Sequence, residues 1–415
     1  MSSLQPIRGT HDLHGEAMAR HRLIMDTAAR VAALYGFDEV APPMFEMTEV
    51  FHRTLGETSD VVSKETYTFT DRGGDSITLR PEFTASIVRL LISEGLTQQL
   101  PFKAFYAGPA FRYERPQKGR QRQFHQIGIE TLGADSASAD AEVIACGVRI
   151  LQELGVAEGT RLEINTLGDM ESRQNYRDAL VNYFAAHKSD LSPESQVRLE
   201  KNPLRILDSK QEQDRGIVAG APQLEAYLTK IAASWFARVQ ESLASVGISY
   251  MVSPRLVRGL DYYTHTVWEI KTDALGAQDT VLAGGRYDGL VAQMGGPEIP
   301  GVGWAAGIER LALLLEAKGR RPEEAKPLAV VIPLSDGEEK AAFIQLEALR
   351  KQNIRAEMLP PGALGKRLKK ADKLGAHYAL VLGETEVKDG TVTLRDLKEG
   401  TQKTVKHEEI VHTLG

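Results

Sequence analysis

The run from Phe111 to Gly133, FRYERPQKGRQRQFHQIGIETLG, constrains the fold more than any other stretch of the chain. Two alternating segments flank a basic, glycine-containing loop, which is the pattern of a β-hairpin. On the incoming strand, alternation puts Arg112 and Glu114 on one face and Phe111 and Tyr113 on the other. On the returning strand Ile127 and Ile129 face one way, and Gln126 and Glu130 face the other with Gly128 between them. Gly128 lacks a side chain, so a gap is expected there in which a small ligand lies against the backbone. The hairpin offers a cation suited to phosphate above a polar floor suited to a small molecule. An exposed charged hairpin with a solvated loop has the same local pattern, and the rest of the chain must separate the two.

With 415 residues, more than one core is expected. A hydrophobic share of 42% and a charged share of 26% are those of a globular protein. The net charge of −6 argues against a chain wrapped broadly by nucleic acid but allows local basic patches. The single Cys146 cannot form an internal disulfide, which fits a reducing compartment. Its apolar neighbours, Val143, Ile144 and Val148, make it a packed thiol rather than a nucleophile. No apolar run reaches the ~20 residues that cross a bilayer. The opening MSSLQPIRGTHDL carries neither a signal core nor an Arg-rich presequence, so the cytoplasm is the expected compartment.

A helix fits Ala17 to Tyr35, with Gly36 placed as its left-handed cap. The strand Phe37 to Val40 then meets Pro42-Pro43, a pair that belongs at an edge, an interface or a turn. Tyr67 to Phe69 and Ser76 to Leu79 read as a hairpin leading into Arg80-Pro81-Glu82-Phe83-Thr84 and an apolar helix. Glu82 is either a helix-start acid, favoured by the dipole, or a ligand group. A helix from Ser138 to Leu154 and a strand from Arg161 to Asn165 follow. From Met170 to about Val246 the chain is polar and helix-favouring, which reads as a helical insertion without visible chemistry.

Strand signals return at Tyr250 to Val252 and Thr266 to Ile270. Between and after them lie Arg258 to Thr264 (RGLDYYT), Ala283 to Gly289 (AGGRYDG) and Gly301 to Arg310 (GVGWAAGIER). The alternating glycines of the last clear one strand face for a flat ligand, and Arg310 at the following helix start suits a terminal phosphate. Beyond a linker at Pro322 to Pro327, strands at Leu328–Ile332, Arg355–Met358 and Tyr378–Leu382 alternate with helices at Glu338–Lys351 and Ala363–Leu374. That alternation indicates a small α/β domain with a largely parallel centre. Lys366, Arg367, Lys369, Lys370 and Lys373 crowd the second helix, with Leu364, Leu368 and Leu374 as its expected buried stripe. Such a run is a solvated face or a polyanion site. No repeat, Cys/His metal spacing or Walker-type loop occurs.

The Phe-Arg-x-Glu hairpin and the Gly-x-Gly-x-x-x-Gly-x-Glu-Arg strand–helix resemble the second and third signature motifs of class II aminoacyl-tRNA synthetases. The first helix, the strand after it and Pro43 are similar to the first motif, which builds the dimer interface in that class. RGLDYYT and AGGRYDG are similar to the two histidine motifs of the histidyl-tRNA synthetase family. The resemblance covers essentially the whole chain, with five motifs in order. It implies an α+β fold: a class II synthetase-like antiparallel sheet flanked by helices, a helical insertion and a C-terminal α/β anticodon-binding domain. The implied segments are 1–169 and 248–322 for the catalytic domain, 170–247 for an insertion reaching toward the tRNA acceptor arm, and 327–415 for the anticodon domain.

The resemblance also implies a homodimer and a histidine–tRNA ligase that uses ATP and Mg2+, forms histidyl-adenylate and transfers histidine to tRNA. Arg112 would hold the α-phosphate, Glu114 would lie near adenine, Arg310 would grip the γ-phosphate, and Arg120 would also contact ATP. Arg258 matches the family's catalytic arginine, which places positive charge at the α-phosphate where related enzymes use a metal ion. Glu82 and Gln126 would take the histidine amino group, Glu130 and Tyr263 its imidazole, and Thr84 and Tyr287 would line the pocket. Arg115 and Gln117 match loop positions that read the extra 5′ guanosine of histidine tRNA, and Lys366, Arg367 and Lys370 would meet the anticodon. Phe83 departs from the glycine that many members carry and adds bulk beside Glu82. A binding-only relative, the regulatory subunit of ATP phosphoribosyltransferase, shares the catalytic fold but departs at catalytic positions. Here Arg112, Arg258 and Arg310 are all present.

Overall fold

The computed structural model describes residues 4–55, 64–207, 209–257, 262–276, 279–322 and 328–414. It divides into two compact units, residues 1–322 and 323–415. The first opens with α1 (Gly15–Leu34), whose buried side chains Ile24, Ala28 and Val31 recur at helical spacing, followed by Gly36 at φ +78°. Next come β1 (Asp38–Glu39), β2 (Phe45–Met47), α2 (Thr48–Leu55), β3 (Tyr67–Thr70), β4 (Ser76–Leu79) and α3 (Thr84–Ser93). The central hairpin is β5 (Phe102–Phe111) and β6 (Gln123–Leu132). It leads to α4 (Ala137–Glu153), capped by Ser136 Oγ accepting from the Ala139 amide, and then to β7 (Thr160–Thr166).

The helices α5 (Met170–Ala186), α6 (Pro193–Lys201) and α7 (Arg215–Ala219) gather their own apolar cluster around Leu180, Phe184, Leu191 and Ile206. Asp214 ties it from within, accepting from the Ser192 amide and from the hydroxyls of Ser192, Ser195 and Ser209. The next helix, α8 (Lys230–Ser245), falls within the expected insertion by sequence. Its Trp235, Val239 and Leu243 nevertheless pack into the main core. The unit finishes with β8 (Met251–Val252), β9 (Thr264–Thr272), β10 (Thr280–Arg286), α9 (Leu290–Gln293), β11 (Gly301–Gly307) and α10 (Ile308–Ala317).

One eight-stranded sheet organises this unit in the order β1-β5-β6-β11-β10-β9-β7-β8. Its central pairs are antiparallel, and the edge pairs β1/β5 and β7/β8 are parallel. Side-chain alternation divides the core into two layers. Ile127, Ile129, Trp268 and Trp304 face α1, α4, α8 and α10, while Ala104, Tyr106 and Val267 face α3 and α9.

The second unit is a five-stranded sheet in the order β13-β12-β14-β15-β16. It is built from β12 (Leu328–Pro333), α11 (Glu339–Lys351), β13 (Ala356–Met358), α12 (Leu364–Lys373), β14 (Ala376–Leu382), α13 (Glu384–Asp389), β15 (Thr391–Asp396), β16 (Gln402–Lys406) and α14 (Ile410–Leu414). The first three strands are parallel and the last two add antiparallel, so the expected parallel centre is present. The expected Leu stripe on α12 is corrected. Ala371 is fully buried and Leu368 partly so, whereas Leu364 and Leu374 are 37% and 39% exposed. Leu364 opens the helix and Leu374 follows its last turn, so neither end is pressed against the sheet.

Candidate active site

Strand β6 carries the polar floor. Gln126, Gly128 and Glu130 pair with Gly108, Tyr106 and Ala104 of β5, and all three turn away from the layer that holds Ile127 and Ile129. The gap expected at Gly128 is not open to a ligand: the Tyr106 phenol fills it, lying where a Cβ on Gly128 would stand. The two remaining groups, Gln126 and Glu130, still border a cavity of about 280 Å3.

Glu130 is 1% exposed and fully engaged. Its Oε1 accepts from Thr84 Oγ1 at 2.7 Å and from Tyr106 Oη at 3.4 Å, and its Oε2 accepts from the Tyr287 hydroxyl. Burial pushes its pKa up to about 8; the Tyr287 and Thr84 hydroxyls pull it down, and nearby Glu82 pushes it up. Two glycines of β11 make room for these groups. A Cβ on Gly303 would collide with the Glu130 carboxylate, and one on Gly301 would collide with the Tyr287 ring. The face cleared by alternating glycines is therefore taken, at these two positions, by the protein's own side chains. At Gly307 it stays open, with only Arg310 Cγ nearby at 3.9 Å.

Glu82 combines the helix-start position with a place in the cavity lining. Its carboxylate accepts from the Thr84 amide at 2.6 Å and the Ala85 amide at 3.0 Å, starting α3, and it also lines the cavity. Burial raises its pKa, although those two amides act against the shift. Gln126 Oε1 is buried without a partner among the described residues, so a donor from a ligand would satisfy it. Tyr263 and Tyr262 complete this end of the cavity.

The opposite end is cationic. Strand β5 stops at Phe111, one residue before the expected Arg112–Glu114 strand, yet Arg112 and Glu114 both still line the cavity while Tyr113 is exposed. Arg112 Nε donates to the Pro81 carbonyl at 2.9 Å, and Arg310 donates through a terminal nitrogen to the Thr280 carbonyl at 2.7 Å. Arg120 meets Glu114 at 2.9 Å, and Arg112 lies 3.9 Å from the same carboxylate. Burial lowers the Arg310 pKa, and the neighbouring Arg120 and Arg112 charges lower it further. Three guanidiniums crowd one cavity wall, their charges acting against one another at Arg310, and a polyanion would relieve that repulsion.

Of the other expected residues, Arg115 and Gln117 do not line this cavity. Arg258 lies outside the described residues. Arg115 and Gln117 are exposed in the hairpin loop, where Gln117 and Arg120 exchange backbone hydrogen bonds at 3.0 and 2.9 Å. Lys366 and Lys370 are exposed on α12 in the second unit, but Arg367 turns back and donates to the Pro361 carbonyl at 2.6 Å.

Several supporting residues escape sequence reasoning. Glu309 accepts from the His125 amide at 3.0 Å and meets the His125 ring at 2.9 Å, tying α10 to β6. Arg286 is fully buried between Asp140 and Asp288 and also donates to the Ala134 and Ser136 carbonyls. Asp140 accepts in addition from Trp235 and Thr266, which clips α4 and α8 to β9 and β10. The only sequence signal for this network is the charged Arg-x-Asp inside AGGRYDG; Asp140 reads simply as a first-turn acid.

Comparison with known proteins follows this geometry. The family model described as histidyl-tRNA synthetase matches residues 9–311, and an anticodon binding domain model matches residues 328–415. The histidine–tRNA ligase of Gluconacetobacter diazotrophicus is 56% identical over 402 residues, covering 97% of this chain and 96% of that one. The ligase of Rhodospirillum rubrum is 53% identical over 405 residues, covering 98% and 97%. Among solved structures, apo histidyl-tRNA synthetase of S. aureus superposes with a TM-score of 0.85 at 33% identity, covering 99% of this chain and 100% of that one. A Bacillus halodurans protein described as an ATP phosphoribosyltransferase regulatory subunit/histidyl-tRNA synthetase has a TM-score of 0.66 at 22% identity, covering 92% and 99%. That likeness is one of fold alone.

Proposed function

The chain belongs to the histidyl-tRNA synthetase family, and from that premise we propose how its own residues carry out histidine–tRNA ligation. The observation that carries the reading is a single cavity with a carboxylate-rich pocket at one end and three clustered guanidiniums at the other. L-Histidine presents a cationic amino group and imidazole N–H donors, which call for acceptors. Glu82 and the unpartnered Gln126 oxygen would receive the amino group, and Glu130 with Tyr263 the imidazole. Thr84 and Tyr287, already bound to Glu130, would hold that carboxylate in place. A site built on hydrogen bonds rejects amino acids that lack the donors more strongly than an apolar pocket rejects isosteres.

ATP would lie across the cationic end. Arg112 would take the α-phosphate, Arg310 the γ-phosphate, Arg120 a further phosphate oxygen, and Glu114 would lie near adenine. The histidine carboxylate attacks the α-phosphorus, histidyl-adenylate forms, and pyrophosphate leaves. The terminal adenosine hydroxyl of histidine tRNA then takes the acyl group, breaking the acyl–phosphate bond and releasing AMP. Phosphoryl chemistry of this kind depends mainly on positioning and charge neutralisation, which fixed guanidiniums supply. Arg258 is assigned the catalytic charge at the α-phosphate on its motif. Mg2+ would enter with ATP as its counter-ion.

Further elements of the reading concern partners. The region from α1 to Pro43 would form a homodimer interface, and the helices α5 to α7 would approach the acceptor arm. The exposed Arg115 and Gln117 would meet the 5′ end of the tRNA, and Lys366, Arg367 and Lys370 the anticodon. The cytoplasm is the compartment proposed for this role. The regulatory-subunit reading is disfavoured by the intact guanidinium cluster, since a binding-only protein has no use for charge aimed at a transferring phosphate. ATP–pyrophosphate exchange with each amino acid in turn tests the assignment. Exchange with histidine alone is expected, and its absence in the presence of Mg2+ would end the enzyme reading. Arg258→Ala should keep the fold and lose adenylation on the order of a hundred-fold or more.

A further inference from the structure

Behind the carboxylate end of the cavity stands a column of side chains that the reaction chemistry leaves unexplained. Arg80, Phe83 and Tyr106 are all buried, Phe83 at 1% exposure. Arg80 donates to the carbonyls of Pro109 at 2.8 Å and Pro42 at 2.7 Å, which fixes its guanidinium 3.8 Å from the Phe83 ring centre. Phe83 stacks on Tyr106 with ring centres 4.3 Å apart and planes 6° from parallel. Tyr106 in turn fills the space above Gly128 and extends its hydroxyl to Glu130. Gly108 admits the column from the side: a Cβ there would stand 3.0 Å from the Arg80 guanidinium and 3.3 Å from the Phe83 ring.

Resting on the assignment of Glu130 to the imidazole, we propose that Phe83 is a positioning residue for histidine selection, holding the Tyr106 hydroxyl on Glu130 by stacking against its ring. The bulk of Phe83 points into the column and not into the cavity, whose wall is formed by its neighbours Glu82 and Thr84. Of the three hydroxyls on Glu130, that of Tyr106 makes the longest bond, at 3.4 Å, and is the first to be lost if the ring moves. The titratable groups that bear on Glu130 are Glu82, Tyr106, Tyr262 and Tyr287, with Tyr263 packed beside Tyr262 and Tyr106. Burial and Glu82 favour the protonated carboxyl, and the hydroxyl donors favour the anion. Removing one donor moves the balance toward the proton and weakens Glu130 as an acceptor at neutral pH.

The test uses the full chain with Phe83→Leu, Phe83→Tyr and Tyr106→Phe, measured by histidine-dependent exchange from neutral to mildly alkaline pH. Phe83→Leu and Tyr106→Phe should each raise the KM for histidine ~10-fold, the lower range for a bond to a charged group, with kcat and the KM for ATP within about two-fold. Both should move the acidic limb of kcat/KM for histidine to higher pH. Phe83→Tyr keeps the stack and should restore the wild-type profile. The Phe83→Leu/Tyr106→Phe double variant should be no worse than Tyr106→Phe, because both act on the same bond. A purely structural Phe83 would instead lower kcat and affinity for both substrates in parallel with the acidic limb unmoved, and that result overturns the proposal. If Phe83→Leu does not fold, calorimetric histidine binding to Tyr106→Phe decides, and an unchanged pH dependence there also overturns it. A wild-type chain without histidine-dependent exchange would instead overturn the underlying assignment of the pocket.

Discussion

Histidine binding should expel a proton from Glu130, and the size of that release can be worked from the pocket. In the empty cavity burial pushes the Glu130 pKa up to about 8. At pH 7 about nine-tenths of the empty sites then carry the proton, and at pH 9 only about one-tenth. An imidazole N–H is accepted much more strongly by the anion than by the protonated carboxyl, so binding favours removal of the proton. Saturating wild type with histidine at pH 7 should release about 0.9 proton more than saturating Glu130→Gln, which has no such proton to lose. The same difference should fall to about 0.1 at pH 9. Subtracting the variant cancels whatever histidine itself gains or loses. The cost of deprotonation at pH 7 is about 1.4 kcal/mol, so affinity should rise about ten-fold as the pH passes through 8. Calorimetry in buffers of differing ionisation enthalpy reads the release directly. A wild-type-minus-variant difference near zero at pH 7 would refute the reasoning, because Glu130 would then be ionised before histidine arrives.

The same carboxyl gives a stability prediction. Its native pKa lies above the ordinary carboxylate range, so between pH 4.5 and about 8 the native state binds more protons than the unfolded chain, and this group's contribution to stability declines as pH rises. Glu130→Gln should therefore gain thermal midpoint relative to wild type above pH 8, with the gap closing toward pH 5 in parallel melts. Arg286→Met should destabilise by about 3–5 kcal/mol, since it leaves Asp140 and Asp288 without their cation, and denaturant melts would measure the loss. Neutralising Lys366 and Lys370 together should raise the KM for tRNA in charging assays and leave pyrophosphate exchange unchanged. Unaffected charging would remove α12 from the anticodon assignment.

Much of the site was legible because its residues obey a period of two or lie in short motifs. Alternation alone separates Ile127 and Ile129 from Gln126 and Glu130, and the structure keeps that division. What alternation cannot supply is the residue from a neighbouring strand that occupies the space beside a glycine. Gly128 reads as a gap for a ligand until Tyr106, opposite it on β5, is seen to fill it. The alternating glycines of β11 mislead in the same way at Gly301 and Gly303, where Tyr287, just past β10, and Glu130 of β6 fill the space. Helical periodicity is similarly blind to tertiary docking: α8 has the polar texture of the insertion, yet Trp235 reaches Asp140 and joins the main core. On α12, Leu364 at the helix start and Leu374 just past its end fit a stripe by spacing, but only the middle of the helix meets the sheet.

The arginines show most clearly what partner chemistry adds to a motif. Arg286, Arg112 and Arg310 each occur in a short signature, and by sequence alone they are equivalent cations. Arg286 is held by two carboxylates, Asp140 and Asp288, with no solvent exposure, so its charge is neutralised where it is anchored and remains to clip α4 to the sheet. Arg112 and Arg310 are anchored instead through backbone carbonyls, those of Pro81 and Thr280. A neutral acceptor fixes a guanidinium without cancelling its charge, so the positive potential persists into the cavity that both side chains line. Glu114 is shared between Arg112 and Arg120, and Arg310 feels Glu114 and Asp279 against the charges of Arg112 and Arg120. We propose that what separates Arg286 from the arginines assigned to phosphate is the charge of the group that positions each. By that criterion Thr280→Asp, which keeps the backbone carbonyl and adds a carboxylate beside Arg310, would weaken the field and lower ATP affinity even with every arginine in place.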